Sequence, residues 1–136
     1  MIGRSNRPEF GLRGTTFNPL FGRTMNPWHG DASPGGSSGG AGAAAAPGFG
    51  PPHQGSDIGG SLRFPAFGCG VASVKSTSFR VPAYNSFSSG ERGVLSQTIS
   101  CQGVLAPRVD DVRRGLSAMI AHAAPPPIED AFRAWL

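Results

Sequence analysis

The chain has 136 residues, of which 21 are Gly and 13 Pro, so one residue in four is a backbone breaker. Apolar residues are 38% of it, below the roughly 45–50% of ordinary domains; at most one compact domain is expected, without a large self-sufficient core. The net charge is +4, yet only 15% of residues are charged and no basic run exceeds Arg113-Arg114, which follows Asp110 and Asp111. A sequence-independent phosphate binder needs a clustered basic stripe, so nucleic acid is not an expected partner.

Residues 1–34 carry scattered apolar positions such as Phe10, Phe17 and Trp28 with no sustained period. They read as irregular segments around turns at Asn18-Pro19 and Asn26-Pro27. From Pro34 the composition shifts to PGGSSGGAGAAAAPGFG. The alanine run 43–46 predicts a short helix opening near Ser38 and stopped by Pro47. By composition, GGSSGG (35–40) reads first as a flexible linker. Read functionally, it is backbone that must approach something closely, offering two hydroxyls at a helix start.

The next stretch, PPHQGSDIGGSLRFP (51–65), reads as a glycine-rich turn holding Ser56, Asp57 and Ser61. Pro51, Pro52, His53 and Gln54 argue against a strand buried on both faces. Short β-like pieces follow near Val71–Val74, Phe79–Val81 and Val94–Ile99. Val109, Val112, Leu116, Met119 and Ile120 then recur at helical spacing. With Pro107 before them, Asp110 and Asp111 in the first turn and Pro125 beyond, they predict a packing helix over about 108–122. The tail Ile128–Leu136 predicts one more amphipathic turn or two.

Cys69 and Cys101 stand far apart along the chain with no CxxC, which suits two buried free thiols better than a zinc site or a disulfide. No apolar run is long enough for a membrane span, and the start has no signal-peptide core, so the expected address is the cytoplasm. A Walker-type phosphate loop fails for want of GK[ST]. Gly35–Gly39 formally matches G-x-S-x-G, with Asp57, Asp110 or Asp111 and His122 as its conceivable partners. That elbow must follow a buried strand, whereas NPWHGDASP is polar and broken by Pro. The turn Asp57-Ile58-Gly59-Gly60-Ser61 is more telling. Successive unhindered N–H groups can line one concavity, which suits a developing oxyanion, and a serine at its end is placed to be a nucleophile. Its other reading is an ordinary glycine turn.

PGGSSGG (34–40), which holds Ser37, and GSDIGGSLRFP (55–65), which holds Ser61, occur together with PEFGLRGTTFNPLFGRTMNPW (8–28). GVASVKSTSFRVP (70–82) and GVLAPRVDDV (103–112) extend the pattern. Together these segments resemble the amidase signature family over about residues 2–122. The resemblance implies an α/β fold with a mixed sheet covered by helices, of which residues 1–136 would be part. Within it the serine-motif core would span 34–82, the C-terminal helix about 108–122 and the tail 123–136.

The same resemblance implies hydrolysis of a linear C–N bond in a small-molecule amide, with no metal and no organic cofactor. Ser61 would be the nucleophile, and Ser37, after a cis Gly36–Ser37 peptide bond, the bridging serine. The N–H groups of Ile58, Gly59, Gly60 and Ser61 would form the oxyanion hole. Ser38, Ser56, Asp57 and Arg63 would be the hydrogen-bonding shell. A neutral lysine completes the family's Ser–Ser–Lys triad by taking the Ser61 proton through Ser37, and water later cleaves the acyl-enzyme. That lysine lies upstream of the first serine motif, ahead of Met1. Lys75, the one lysine here, matches a structural lysine downstream of the nucleophile. The alternative expectation is therefore a non-catalytic, truncated or decayed remnant.

Overall fold

The computed structural model describes residues 2–81 and 93–121. The expected tail turn at Ile128–Leu136, like His122, lies outside the described residues.

The unperiodic opening segment is held by side-chain amides rather than by an apolar stripe. After a 3-10 turn at Glu9–Gly11, two short strands, β1 (Phe17–Asn18) and β2 (Gly22–Arg23), pair antiparallel as Phe17↔Arg23 and Asn18↔Gly22. Asn18 Oδ1 accepts from the amides of Leu20 and Phe21 at 3.1 and 2.8 Å, so the Asn-Pro turn becomes a hairpin tip. Asn26 plays the same part further on. Its Nδ2 donates to the carbonyls of Ser33 and Gly68 at 3.1 and 2.7 Å, and its Oδ1 accepts from the Trp28 amide at 2.9 Å.

Helix α1 (Gly39–Ala45) starts directly after Ser38 and ends before Pro47, where the alanine run places it. The linker reading of GGSSGG fails, because Gly39 and Gly40 are buried and form the first turn of that helix. Small residues serve close packing here. A Cβ added to Gly42 would lie 3.0 Å from Pro65 Cβ and 3.2 Å from Cys69 Sγ, both on helix α2 (Arg63–Cys69).

Segment 51–65 is more than a turn. It holds strand β3 (His53–Asp57), a tight turn and the start of α2. Strand β3 pairs antiparallel with β5 (Cys101–Ala106) from His53↔Leu105 to Asp57↔Cys101, and β4 (Ala72–Ser73) flanks β5 on its other side. With the order β3-β5-β4, β3 is an edge strand among the described residues. Gln54 is exposed and His53 half-buried, so the strand needs no apolar pair at its start. Pro51 and Pro52 precede the ladder and take no donor from it. Pro65 occupies the first turn of α2, where a missing N–H costs nothing, and Gly70 at φ 65° ends that helix.

Two β expectations are overturned. Val94–Ile99 is a helix, α3, with the Gln97 and Ser100 amides donating to Gly93 and Ser96 carbonyls at 3.1 Å each. Val94 and Leu95 are exposed, so no half-buried sheet surface exists for their β-formers to fit. Phe79–Val81 lies in a turn closed by the Arg80 amide on the Thr77 carbonyl at 3.1 Å. The strand is instead Cys101–Ala106, whose alternation is hidden because it is buried nearly throughout. Helix α4 (Val109–Ala121) falls where its period puts it. Val112 is buried in it, while Val109 at the head of the stripe is exposed. At Gly115 a Cβ would lie 3.1 Å from Val104 Cγ2, so α4 sits close on β5.

The α/β expectation holds, with every observed ladder antiparallel. Cys69 and Cys101 are free and buried. Among the described residues no helix is long and apolar enough to cross a membrane. The central cluster is small: Ala41 from α1, Leu62 before α2 and Leu105 from β5, with Ala66 and Val71 against them. Leu62 and Leu105 are fully buried. Leu62→Ala is therefore expected to lower stability by about 2–5 kcal/mol in urea unfolding; a loss below about 1 kcal/mol would show that this cluster does not hold the fold.

Candidate active site

The site is built where β3 runs into α2 beside the start of α1. Asp57, the last residue of β3, is fully buried and its carboxylate organises the turn that follows. Oδ1 accepts from the Gly60 amide at 2.9 Å, and Oδ2 accepts from the Leu62 and Arg63 amides at 3.2 and 3.4 Å. The Arg63 guanidinium closes the set, with Nε on Oδ2 and Nη2 on Oδ1, each at 3.0 Å. This is the two-pronged geometry in which Arg matches a carboxylate. Burial works against the ionised Asp57 carboxyl, but the Arg63 and amide hydrogen bonds together outweigh it and hold the group below its ordinary 3.8. Arg63 is raised in turn, first by its hydrogen bond to Asp57.

The two serine motifs are stitched together through Ser38. Its amide donates to the Ser61 carbonyl at 3.3 Å. Its hydroxyl accepts from the Ser56 amide at 3.4 Å and donates to the Ser56 carbonyl at 3.5 Å. The Gly36–Ser37 peptide bond is cis. Ser37 is buried, Ser61 is half-buried, and neither hydroxyl makes a hydrogen bond among the described residues. At Gly60, φ is +122° and an added Cβ would lie 2.6 Å from the Phe64 ring, so only glycine fits between the turn and α2.

The four amides expected to form an oxyanion cradle are engaged differently. The Gly60 N–H is committed to Asp57 Oδ1. The amides of Ile58, Gly59 and Ser61 find no acceptor among the described residues, and Ile58 and Gly59 are exposed.

Two residues around the first motif are not singled out by the sequence. Thr16, buried, donates from Oγ1 to the Gly35 carbonyl at 2.9 Å and fixes the loop ahead of the cis bond. Gly11, at φ 72°, lies beside Ser37, since a Cβ there would be 3.5 Å from Ser37 Oγ. Their one signal is membership in the 8–28 segment, which carries no periodicity to mark individual positions. Lys75 lies on other partners: Nζ donates to the Ile99 carbonyl at 3.0 Å and to Cys101 Sγ at 3.1 Å. An open cavity of about 550 Å³ borders it, lined by Val74–Arg80 with Leu116 and Ile120 of α4, and neither Ser37 nor Ser61 lines it. A second, of about 420 Å³, adjoins the first motif at Gly35 and is walled by Phe64 and Phe67. Among the described residues no three His, Cys, Asp or Glu side chains gather as a metal would require. The Gly35–Gly39 elbow reading fails as well, for the residues before it form no strand.

A family model described as Amidase matches residues 1–132. The chain belongs to the Amidase family. It is 53% identical over 119 residues to the indoleacetamide hydrolase of Bradyrhizobium diazoefficiens, covering 88% of this chain and 23% of that protein. It is 45% identical over 95 residues to fatty-acid amide hydrolase 1 of Sus scrofa, covering 70% of this chain and 16% of that one. Among solved structures, 6-aminohexanoate cyclic dimer hydrolase complexed with substrate aligns with TM-score 0.73 at 34% identity over 91% of this chain and 26% of that chain. A crystal structure of an amidase aligns with TM-score 0.78 at 31% identity over 90% and 27%. This amidase-family chain thus spans about a quarter of the length of the relatives it matches.

Asp57→Asn removes the charge that the turn is wrapped around and is expected to cost on the order of 2 kcal/mol. Because the folded carboxyl titrates below 3.8, its contribution is complete above about pH 5 and disappears as pH falls through the folded value. Stability of the parent chain should therefore drop below that range while the Asn variant's drops less. Parallel pH–stability curves would contradict this.

Proposed function

We propose that this chain carries the nucleophile and oxyanion-binding part of an amide hydrolase. The observation that carries the reading is the stitching of the Ser37–Ser38 loop to a Ser61 turn wrapped on buried Asp57. Ser61 Oγ would attack the amide carbonyl, and the free amides of Ile58, Gly59 and Ser61 would receive the developing oxyanion. Ser37 would pass the Ser61 proton between the nucleophile and a general base, and the amine would leave with a proton before water releases the acyl group. Ser38, Ser56, Asp57 and Arg63 would act by holding these groups in register. Similarity to an indoleacetamide hydrolase favours a small amide with an aromatic acyl group.

The general base is a separate matter. Lys75, the one lysine of this sequence, has its ammonium on the Ile99 carbonyl and the Cys101 sulfur. A hydrolytic cycle needs a base from outside this stretch of chain, and this observation favours a second reading in which the isolated chain is a non-catalytic remnant.

A fluorophosphonate probe followed by intact mass separates the two. The hydrolase reading expects one adduct on Ser61 and none in Ser61→Ala. No adduct on a chain shown by circular dichroism to be folded would establish the remnant reading.

A further inference from the structure

We propose that Lys75 and Cys101 form an oxidisable pair that closes into a covalent sulfenamide bridge under hydrogen peroxide. The two buried cysteines provide an internal contrast. Cys69 Sγ touches the Pro34 carbonyl at 3.5 Å, and burial pushes its thiol up, toward an inert, protonated state. Cys101 Sγ instead sits between the Lys75 ammonium at 3.1 Å and the Ser76 carbonyl at 3.0 Å. The thiol donates to that carbonyl, and the Lys75 nitrogen lies against the same sulfur, so an oxidised sulfur formed there has an amine in direct contact. Cys101 is 1% exposed, so bulky alkylating agents are kept from it, and the oxidant that tests the pair is hydrogen peroxide, little larger than water.

The chemistry balances in two steps. The Cys101 thiolate attacks one peroxide oxygen; the S–O bond forms, the O–O bond breaks, sulfur is oxidised by two electrons, and the departing hydroxide leaves as water with the thiol's proton. The Lys75 ammonium gives up a proton to solvent, and its nitrogen then attacks the sulfenic sulfur. The S–N bond forms, the S–O bond breaks, and a second water leaves with a proton from nitrogen. The protein loses two hydrogens in all. A four-carbon stem gives Lys75 the freedom to close the gap. Because Cys101 stands opposite Asp57 in the β3–β5 ladder, the bridge would lock the strand beneath the nucleophile turn. None of this depends on the chain being a hydrolase.

The test treats the full chain with hydrogen peroxide and maps peptides by mass spectrometry. The expected product joins the peptides bearing Lys75 and Cys101, lacks two hydrogens, and reverts with dithiothreitol. Cys101→Ser should not form it. Lys75→Arg, which keeps the positive charge without a nucleophilic amine, should stop at a sulfenic acid, read as one oxygen added to the Cys101 peptide without linkage. A bulky maleimide should leave Cys101 unlabelled in the folded, untreated chain. Any of three results overturns the proposal: oxygen added to Cys101 without linkage to Lys75, a Cys69–Cys101 disulfide as the species lacking two hydrogens, or an unmodified Cys101 at peroxide doses that oxidise the exposed Met25.

Discussion

A buried carboxylate with both oxygens fully engaged is the constraint from which this structure is organised. Asp57 has no exposure at all, and an ionised carboxyl so placed is tolerable only if its lone pairs are filled. The amides of Gly60, Leu62 and Arg63 and both edges of the Arg63 guanidinium fill them. The polypeptide must bend back on itself to bring those donors round. That bend is the turn that carries Ser61, and it delivers Leu62 into the core. Arg63 is 54% exposed, so its value lies less in ion-pair energy, which solvent screens, than in the geometric clamp.

The low apolar content finds its explanation in the same region. Gly42 against Pro65 and Cys69, and Gly115 against Val104, are places where backbones or small faces meet directly. Tight contact of this kind gains dispersion without large side chains. What large apolar side chains would do elsewhere is done in the opening segment by Asn18, Asn26 and Thr16, each of which ties loop backbone that has no ladder of its own. The glycine and asparagine content that resembles disorder in composition is, in three dimensions, the means of close approach and of loop satisfaction.

Legibility in the sequence follows how local each signal is. Helices α1 and α4 are readable because an alanine run closed by Pro47 and an apolar stripe at helical period are properties of the segment alone. Strand β5 is not, because a strand buried on both faces has no alternation to show. Helix α3 misleads for the converse reason: Val94 and Ile99 are β-formers by propensity, and no sheet surface meets them. Strand β3 looks impossible as a central strand and is acceptable as the edge it forms among the described residues. At the site, the serine motifs and Asp57 are visible as residue types at fixed spacing. That the Gly60 amide turns inward to Asp57, and that Lys75 reaches Cys101, cannot be read, since each depends on partners that the chain brings together only on folding.

By itself the sequence determined the chemistry on offer: paired serine motifs, an acid ahead of two glycines, an arginine just past the second serine, and one lysine. It determined family membership too, because the spacing of those motifs is covalent and needs no fold to be read. Tertiary structure decided which of these groups face one another. Asp57 and Arg63 are near in sequence and would meet in many turns, but the complete burial of Asp57 in the folded chain is what makes their pairing obligatory. Lys75 and Cys101 belong to distant segments, and only the β4–β5 ladder sets them in contact. Spacing along the chain fixes what local geometry can reach; contacts across strands depend on which surfaces are withdrawn from water together.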